Sequence, residues 1–314
     1  MEVVHSKRKN KFCFDNYKSR FGPDGLHLFN RETGTNILID EVEIPVDRWS
    51  MAPRQVSIAL TNTCDLSCSH CYAPKNKAKL EFGLLTSLLR TLDLNGCMGV
   101  GFGGGEPTLY PKFAELCEFA AIETGLAVTM TTHGHRLDEI LLKKISGRIH
   151  FVRVSMDGVG ATYENIRNRS FDSLVNKVKL LKDVSPFGIN FVVNSTTIKE
   201  LDEAARIADD LGAAELLLLP EVTVGRGVGI DNDTAADMQN WIQAYQGNAR
   251  LAISETHVTG IPVCEPFEKE TGVSAYAHID ASGILRRNSF AQDGVLIEGE
   301  DIMDALQVLR EKNK

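Results

Sequence analysis

From about residue 55 onward, short apolar runs alternate with stretches whose apolar positions recur at helical spacing. Residues 56–61, 100–103 (with a start near Met98), 126–131, 149–155, 189–194 and 215–219 read as six strands. Residues 84–94, 113–124, 137–145, 171–184 and 201–211 read as the helices between them. Such alternation predicts parallel βα units, and by itself it allows either a doubly wound sheet or a barrel. The two ends of the chain have a different rhythm. Residues 26–29 and 36–39 are strand candidates on either side of a turn at 31–34, which predicts an N-terminal β-hairpin; Pro45 and Pro53 then punctuate a linker around Trp49. After residue 219 comes a Gly-rich loop at 224–229, a helix at 235–245 and a β-leaning tail. That tail holds strands at 275–280 and 284–286 around Ser282-Gly283, and ends in a helix at 301–311. The pattern divides the chain into an extension over 1–53, a core over 54–233 and a second extension over 234–314.

Composition narrows the class. Of 314 residues, 43% are hydrophobic and 24% charged, which excludes wholesale disorder and a collagen-like chain. The net charge of −8 argues against a nucleic-acid partner, which would call for a basic surface. Lys and Arg gather in the first twenty residues, where a solvated tail is the expectation. No apolar run approaches the roughly 18–20 residues of a membrane span, and the basic start lacks the apolar region of a signal peptide. A reducing, cytoplasmic setting is therefore expected. In it, closely spaced cysteines bind metal sooner than they bridge.

Seven cysteines cannot all be paired. Cys64, Cys68 and Cys71 fall directly after the first core strand, where α/β proteins build their sites. Three thiolates within eight residues can converge on zinc or on an iron–sulfur centre. Structural zinc takes four protein ligands. His70 cannot readily share an ion with adjacent Cys71, although another cysteine could complete such a site. A four-iron cluster held by three cysteines leaves one iron open to a small molecule. Incidental placement is the third alternative.

The spacing Cys-x3-Cys-x2-Cys, with His70 before the last cysteine, resembles the radical S-adenosylmethionine (SAM) superfamily. Gly104-Gly105-Glu106-Pro107 after the second core strand resembles that family's Gly-Gly-Glu-Pro motif. Ser155-Met156-Asp157-Gly158 after the fourth resembles its Ser-x-Asp-Gly motif. Thr131-Thr132-His133-Gly134 stands where relatives often carry Thr-Asn-Gly, so the role of His133 is left open. The likeness runs from about Arg54 to Gly229.

This resemblance implies a partial (β/α)6 barrel with its site at the C-terminal ends of the strands. It implies one [4Fe-4S] cluster on Cys64, Cys68 and Cys71, with SAM on the open iron, cleaved on reduction to a 5′-deoxyadenosyl radical. By the same likeness, Gly104 and Gly105 allow close approach to a ligand, and Glu106 accepts from the SAM ammonium group. Ser155 and Asp157 bond ribose hydroxyls, and Tyr72 lies near adenine. Asn194 faces the cofactor. Arg167 pairs with the SAM carboxylate or with a surface acid. An external flavodoxin- or ferredoxin-like protein supplies the electron.

Cys97 and Cys117 read as packing residues. The tail around Ala277 to Leu285 resembles the SPASM and twitch extensions of radical SAM peptide maturases. Yet no cysteine follows Cys264, so a twitch-like α+β scaffold without its auxiliary cluster is expected. Cys264 is then either a core or loop cysteine, or a hydrogen-atom donor to a substrate radical. The implied substrate is a ribosomally made precursor peptide, modified by epimerisation, crosslinking or excision. A small-molecule or cofactor precursor is the alternative. The first 50 residues either cap the barrel or bind a leader peptide by strand addition.

Overall fold

The structure is a computed structural model, and it describes residues 16–254, 261, 263–299 and 301–312. Cys13 and the basic start of the chain lie outside these. The described chain begins with an antiparallel meander of β1 (Lys18–Gly22), β2 (Gly25–Asn30) and β3 (Thr35–Ile39). The expected hairpin is its β2–β3 half, with the Asn30 side chain accepting from the main-chain N–H groups of Glu32 and Thr33 in the turn. The apolar pattern misses β1 because its buried residues are a glycine and a charge: Gly22, and Arg20, which is 2% exposed and paired with Glu270.

The core alternates as the sequence predicts. In order come β4 (Gln55–Thr61), α1 (Phe82–Leu94), β5 (Gly99–Gly104), α2 (Phe113–Glu123), β6 (Ala127–Thr132), α3 (Glu139–Ile145) and β7 (Phe151–Ser155). Then follow α4 (Gly160–Arg167), α5 (Phe171–Lys179), β8 (Phe187–Val193), α6 (Leu201–Leu211) and β9 (Glu215–Pro220). Beyond shifts of one to three residues at element ends, two features differ from expectation. Helix α4 is not evident from the sequence, since it buries only Tyr163. Helix α5 stops short of residue 184 and passes into turns closed by Val184 N–H to Leu181 O, ahead of Pro186. A residue before proline is driven out of the helical region.

Strands β4 to β9 lie side by side in chain order, all parallel. A doubly wound sheet would reverse its order at some point. This one does not, so right-handed crossovers place every helix on the same face. The residues after α7 (Asn232–Ala244) extend both edges of the sheet. β10 (Arg250–Ile253) pairs with β9, and β11 (Tyr276–Ile279) pairs with β4. β12 (Ile284–Arg286) and β13 (Val295–Leu296) follow antiparallel, and α8 (Ile302–Glu311) packs beside them. The order is linear from β10 to β13, so the barrel stays open.

The two faces of the sheet differ in kind. Val56, Ile58, Leu60, Val100, Phe102 and Phe191 belong to the apolar core under the helices. The alternate positions form the inner face; over β4 to β6 many are small or polar, such as Ser57, Gly101, Gly103 and Thr129, with Ser155 and Asn190 beyond, while Phe151, Arg153, Val192 and Leu217 line the rest. A Cβ placed on Gly103 would meet nothing within 4 Å. The inner face is therefore open at Gly103.

The meander closes the opposite end of the barrel from the cysteines. Arg20 donates to Gly96 O (2.7 Å), just before β5, and to Ser274 O (3.2 Å), just before β11. Arg31 donates to Ala121, Thr124 and Leu126 carbonyls at 2.7, 2.8 and 3.0 Å, joining the meander to the end of α2 and the start of β6. Arg54, immediately before β4, shares Glu270 with Arg20 and lies over the Phe267 ring at 3.4 Å. These bonds seat the meander against that end of the barrel.

Candidate active site

The cysteine loop leaves β4 at a bulge between Ala59 and Thr61 and returns beside it. Its neck is closed by Asn62 N–H to Ala78 O (2.9 Å) and Leu80 N–H to Leu60 O (3.0 Å). Bulges at strand ends re-aim the chain next to sites. Cys68 is buried, Cys64 and Cys71 are half-buried, and all three are free thiols. Burial raises the thiol pKa of Cys64 and of Cys68, the latter against the nearby charge of Arg167. A metal that binds them must displace those protons.

The Gly104-Gly105 pair meets the main chain of this loop. Gly104 has φ +119°, and a Cβ on it would lie 2.3 Å from Thr61 O; one on Gly105 would lie 2.3 Å from Thr63 O. Gly105 N–H donates to Thr61 O (2.7 Å) and Glu106 N–H to Thr63 O (2.9 Å). The close approach that these glycines permit is thus to the cysteine loop itself.

Glu106 is fully buried. Its Oε1 accepts from Thr108 N (3.2 Å), Thr108 Oγ1 (2.7 Å) and Thr132 Oγ1 (2.8 Å); its Oε2 accepts from His133 N (3.0 Å). These donors occupy most of the acceptor capacity of a carboxylate. His133 Nδ1 accepts from His135 N (3.1 Å), which leaves its proton on Nε2, donated to Asp65 Oδ1 (2.9 Å). Cys64, Asp65 and His133 bring one ligand-type atom each within 4.8 Å of one another.

At the end of β7, Asp157 is 1% exposed and accepts from Val192 N (2.9 Å) and from Arg167, while His70 Nε2 lies 3.1 Å away. Burial pushes its carboxyl up, but Arg167 and then His70 outweigh that and hold it well below the ordinary carboxylate range. Arg167 is therefore an internal partner of Asp157, buried with it, and not part of a surface ion pair. Ser155 stands in register with Asn190 of β8.

Asn194 is spent locally. Its Oδ1 accepts from Thr196 N and Thr197 N, both at 3.0 Å, and its Nδ2 donates to Glu221 (2.8 Å). Gly225 packs on Tyr72, and Arg226 bonds Cys71 O (3.2 Å) and Ser67 Oγ (2.9 Å), so the loop after β9 also holds the cysteine loop. Tyr72 meets the Phe290 ring edge-on at 5.0 Å, which brings the C-terminal extension to the same place. Cys264 is exposed, whereas Cys97 and Cys117 are buried in the core.

Sequence reasoning passes over Asp65, Asn190 and Phe290. For Asn190 a signal existed: it is the one amide within the otherwise apolar run of β8.

The residues fit a thiolate-bound cofactor with a polar organic ligand. Three free thiols share one loop. Three buried polar atoms beside it, His70 Nδ1, Arg167 Nε and Asn190 Oδ1, lack a partner among the described residues.

Residues 58–210 match the family model of the Radical SAM superfamily. Over 218 residues the chain is 26% identical to an AdoMet-dependent heme synthase of Methanosarcina barkeri, covering 65% of this chain and 62% of the relative. Over 250 residues it is 25% identical to the sporulation killing factor maturation protein SkfB of Bacillus subtilis, covering 77% and 60%. Over 216 residues it is 28% identical to the mycofactocin maturase MftC of Mycobacterium tuberculosis, covering 66% and 54%. The chain thus matches less than two thirds of these relatives' lengths. In structure it resembles Streptococcus suis SuiB bound to S-adenosylmethionine, with a TM-score of 0.74 and 15% identity, covering 92% of this chain and 86% of that one. A likeness at that identity is one of fold.

Proposed function

We propose that this chain is a radical SAM enzyme, on the match of residues 58–210 to the Radical SAM superfamily model, and that it modifies a peptide by hydrogen-atom abstraction. The observation that carries the reading is the run of small residues on the inner face around Gly103. Gly101, Gly103, Thr129 and Ser155 make a trough of small residues whose strand-end rim carries the cysteine loop, and we infer that an extended chain lies along it. Support comes also from the alignment with the maturation protein SkfB, which spans 77% of this chain.

Cys64, Cys68 and Cys71 would hold a [4Fe-4S] cluster, and Arg167, His70, Ser155 and Asn190 offer polar atoms to SAM. When bound, the pair supplies reductive cleavage of SAM and a 5′-deoxyadenosyl radical. The chain's own residues do the positioning. Gly104 and Gly105 let the β5 turn grip the cysteine loop, and Glu106 holds the ends of β5 and β6 together. Asp157 orients Arg167 and His70 from below. An external flavodoxin- or ferredoxin-like donor would deliver the electron.

The test is anaerobic incubation with SAM, reductant and a candidate precursor peptide in deuterated water, followed by mass spectrometry. A deuterium gained at Cα, or a loss of mass, supports peptide modification. The alignment with the heme synthase supports a second reading, a small-molecule substrate. An unchanged peptide alongside a converted tetrapyrrole would favour it. Cys264→Ala addresses the hydrogen-atom donor: unaltered product and stereochemistry would remove Cys264 from that role.

A further inference from the structure

His133 is 4% exposed at the end of β6 and joins two parts of the site that are far apart in sequence. Its main-chain N–H donates to Glu106 Oε2 (3.0 Å), and its ring Nε2 lies 3.3 Å from the same oxygen. The ring donates to Asp65 Oδ1 at 2.9 Å, and Asp65 follows Cys64 directly. His135 N–H on Nδ1 fixes the other side of the ring. Both ring nitrogens are thus engaged, and the orientation of the donor is set.

The cysteine loop has no helix or long strand to hold it between its neck residues. Its course depends on side-chain and main-chain bonds to its surroundings. Near its start, the groups that hold Asp65 are His133 and Arg169, which donates to Asp65 O at 3.2 Å and approaches its carboxylate at 3.8 Å. The Arg169 and Asp65 side chains are more than a third exposed, whereas His133 is buried. A hydrogen bond from a buried donor to a charged acceptor outweighs a long, exposed ion pair.

We propose that His133 is a positioning residue: through Asp65 it latches the first turn of the cysteine loop to Glu106, and so fixes where Cys64 presents its thiol. The proposal rests on the reading of Cys64 as a metal ligand, but the latch itself is a property of the chain without metal. It also accounts for a histidine at 133, since the bond to Asp65 needs an N–H at the far end of a side chain of that reach.

Hydrogen exchange of the metal-free protein tests it, comparing His133→Ala, His133→Phe and His133→Gln. Loss of one hydrogen bond to a charged acceptor is worth about tenfold or more in local opening. Amides of 64–71 should therefore exchange about tenfold faster in His133→Ala and His133→Phe than in wild type. His133→Gln, which keeps a terminal N–H, should restore protection, and β7 should not change. Asp65→Ala should match His133→Ala, and the double variant should be no worse than either. It also serves where a substitution at 133 prevents folding. In the reconstituted protein, the cluster's midpoint potential should shift in His133→Ala and return in His133→Gln. Unchanged exchange in His133→Ala and Asp65→Ala, or a His133→Gln variant as unprotected as His133→Phe, overturns the latch. A wild-type protein that takes up no cluster defeats the metal-ligand reading, while the exchange result still decides the latch.

Discussion

Glu270 shows how a few buried charges fasten the ends of this chain to its barrel. It accepts from both Arg20 and Arg54, and it is 7% exposed. Its main-chain N–H and that of Lys269 bind the Asp24 carboxylate at 2.8 Å. Removing one partner of a buried ion pair leaves uncompensated charge, so Glu270→Ala should cost about 3–5 kcal/mol in denaturant unfolding. His278 offers a second test. It accepts or donates at Ser57 Oγ (2.7 Å) on the inner face, and burial lowers its pKa from 6.5 to about 4, partly offset by Asp280. The unfolded chain therefore binds the extra proton first. Stability from this group is full above pH 6.5 and falls as the pH drops toward 4, by up to about 1.4 kcal/mol per pH unit. His278→Gln should flatten the pH dependence of the unfolding midpoint across that window. At this scale the sequence reveals identities more readily than partners. The three cysteines proposed as ligands are legible from their spacing together with the motifs at the later strand ends. The pairing of Asp65 with His133 joins residues 68 positions apart and can only be seen folded.

Strand β5 separates two kinds of glycine. Gly105 faces the Thr63 carbonyl, so Gly105→Ala forces the cysteine loop away. It should cost about 1–3 kcal/mol, as overpacking does, and reduce iron uptake. Gly103 faces open space on the inner face. Gly103→Val should leave thermal stability unchanged or higher, since a β-branched residue suits a strand, while it lowers turnover by filling the trough. Equal activity in Gly103→Val and wild type would take the substrate away from that face. The six parallel strands and most helices are readable as apolar periodicity. Helix α4 is not, because it buries one side chain, and β1 is not, because it buries an arginine. In both elements the stabilising contacts are polar or few, and periodicity reports only apolar burial.

Across the whole molecule, the ends of the chain serve the barrel from opposite sides. The N-terminal meander closes the end where the strands begin, through Arg20 and Arg31. The C-terminal extension adds strands to both sheet edges and brings Phe290 onto Tyr72 beside the cysteines. The order of the motifs along the sequence places them at successive strand ends, and the structure brings those ends together. The return of the tail to β4 was not legible, because pairing of β11 with β4 spans most of the chain. The claim on which all of this depends is that Cys64, Cys68 and Cys71 hold a cluster that cleaves SAM. Its most direct measurement is iron, acid-labile sulfide and 5′-deoxyadenosine after anaerobic reconstitution with SAM and reductant. The wild-type chain should hold about four iron and four sulfide and release 5′-deoxyadenosine, and the variant with all three changed to alanine should do neither. One equivalent of zinc without sulfide in the wild type, or equal 5′-deoxyadenosine from the variant, would contradict it.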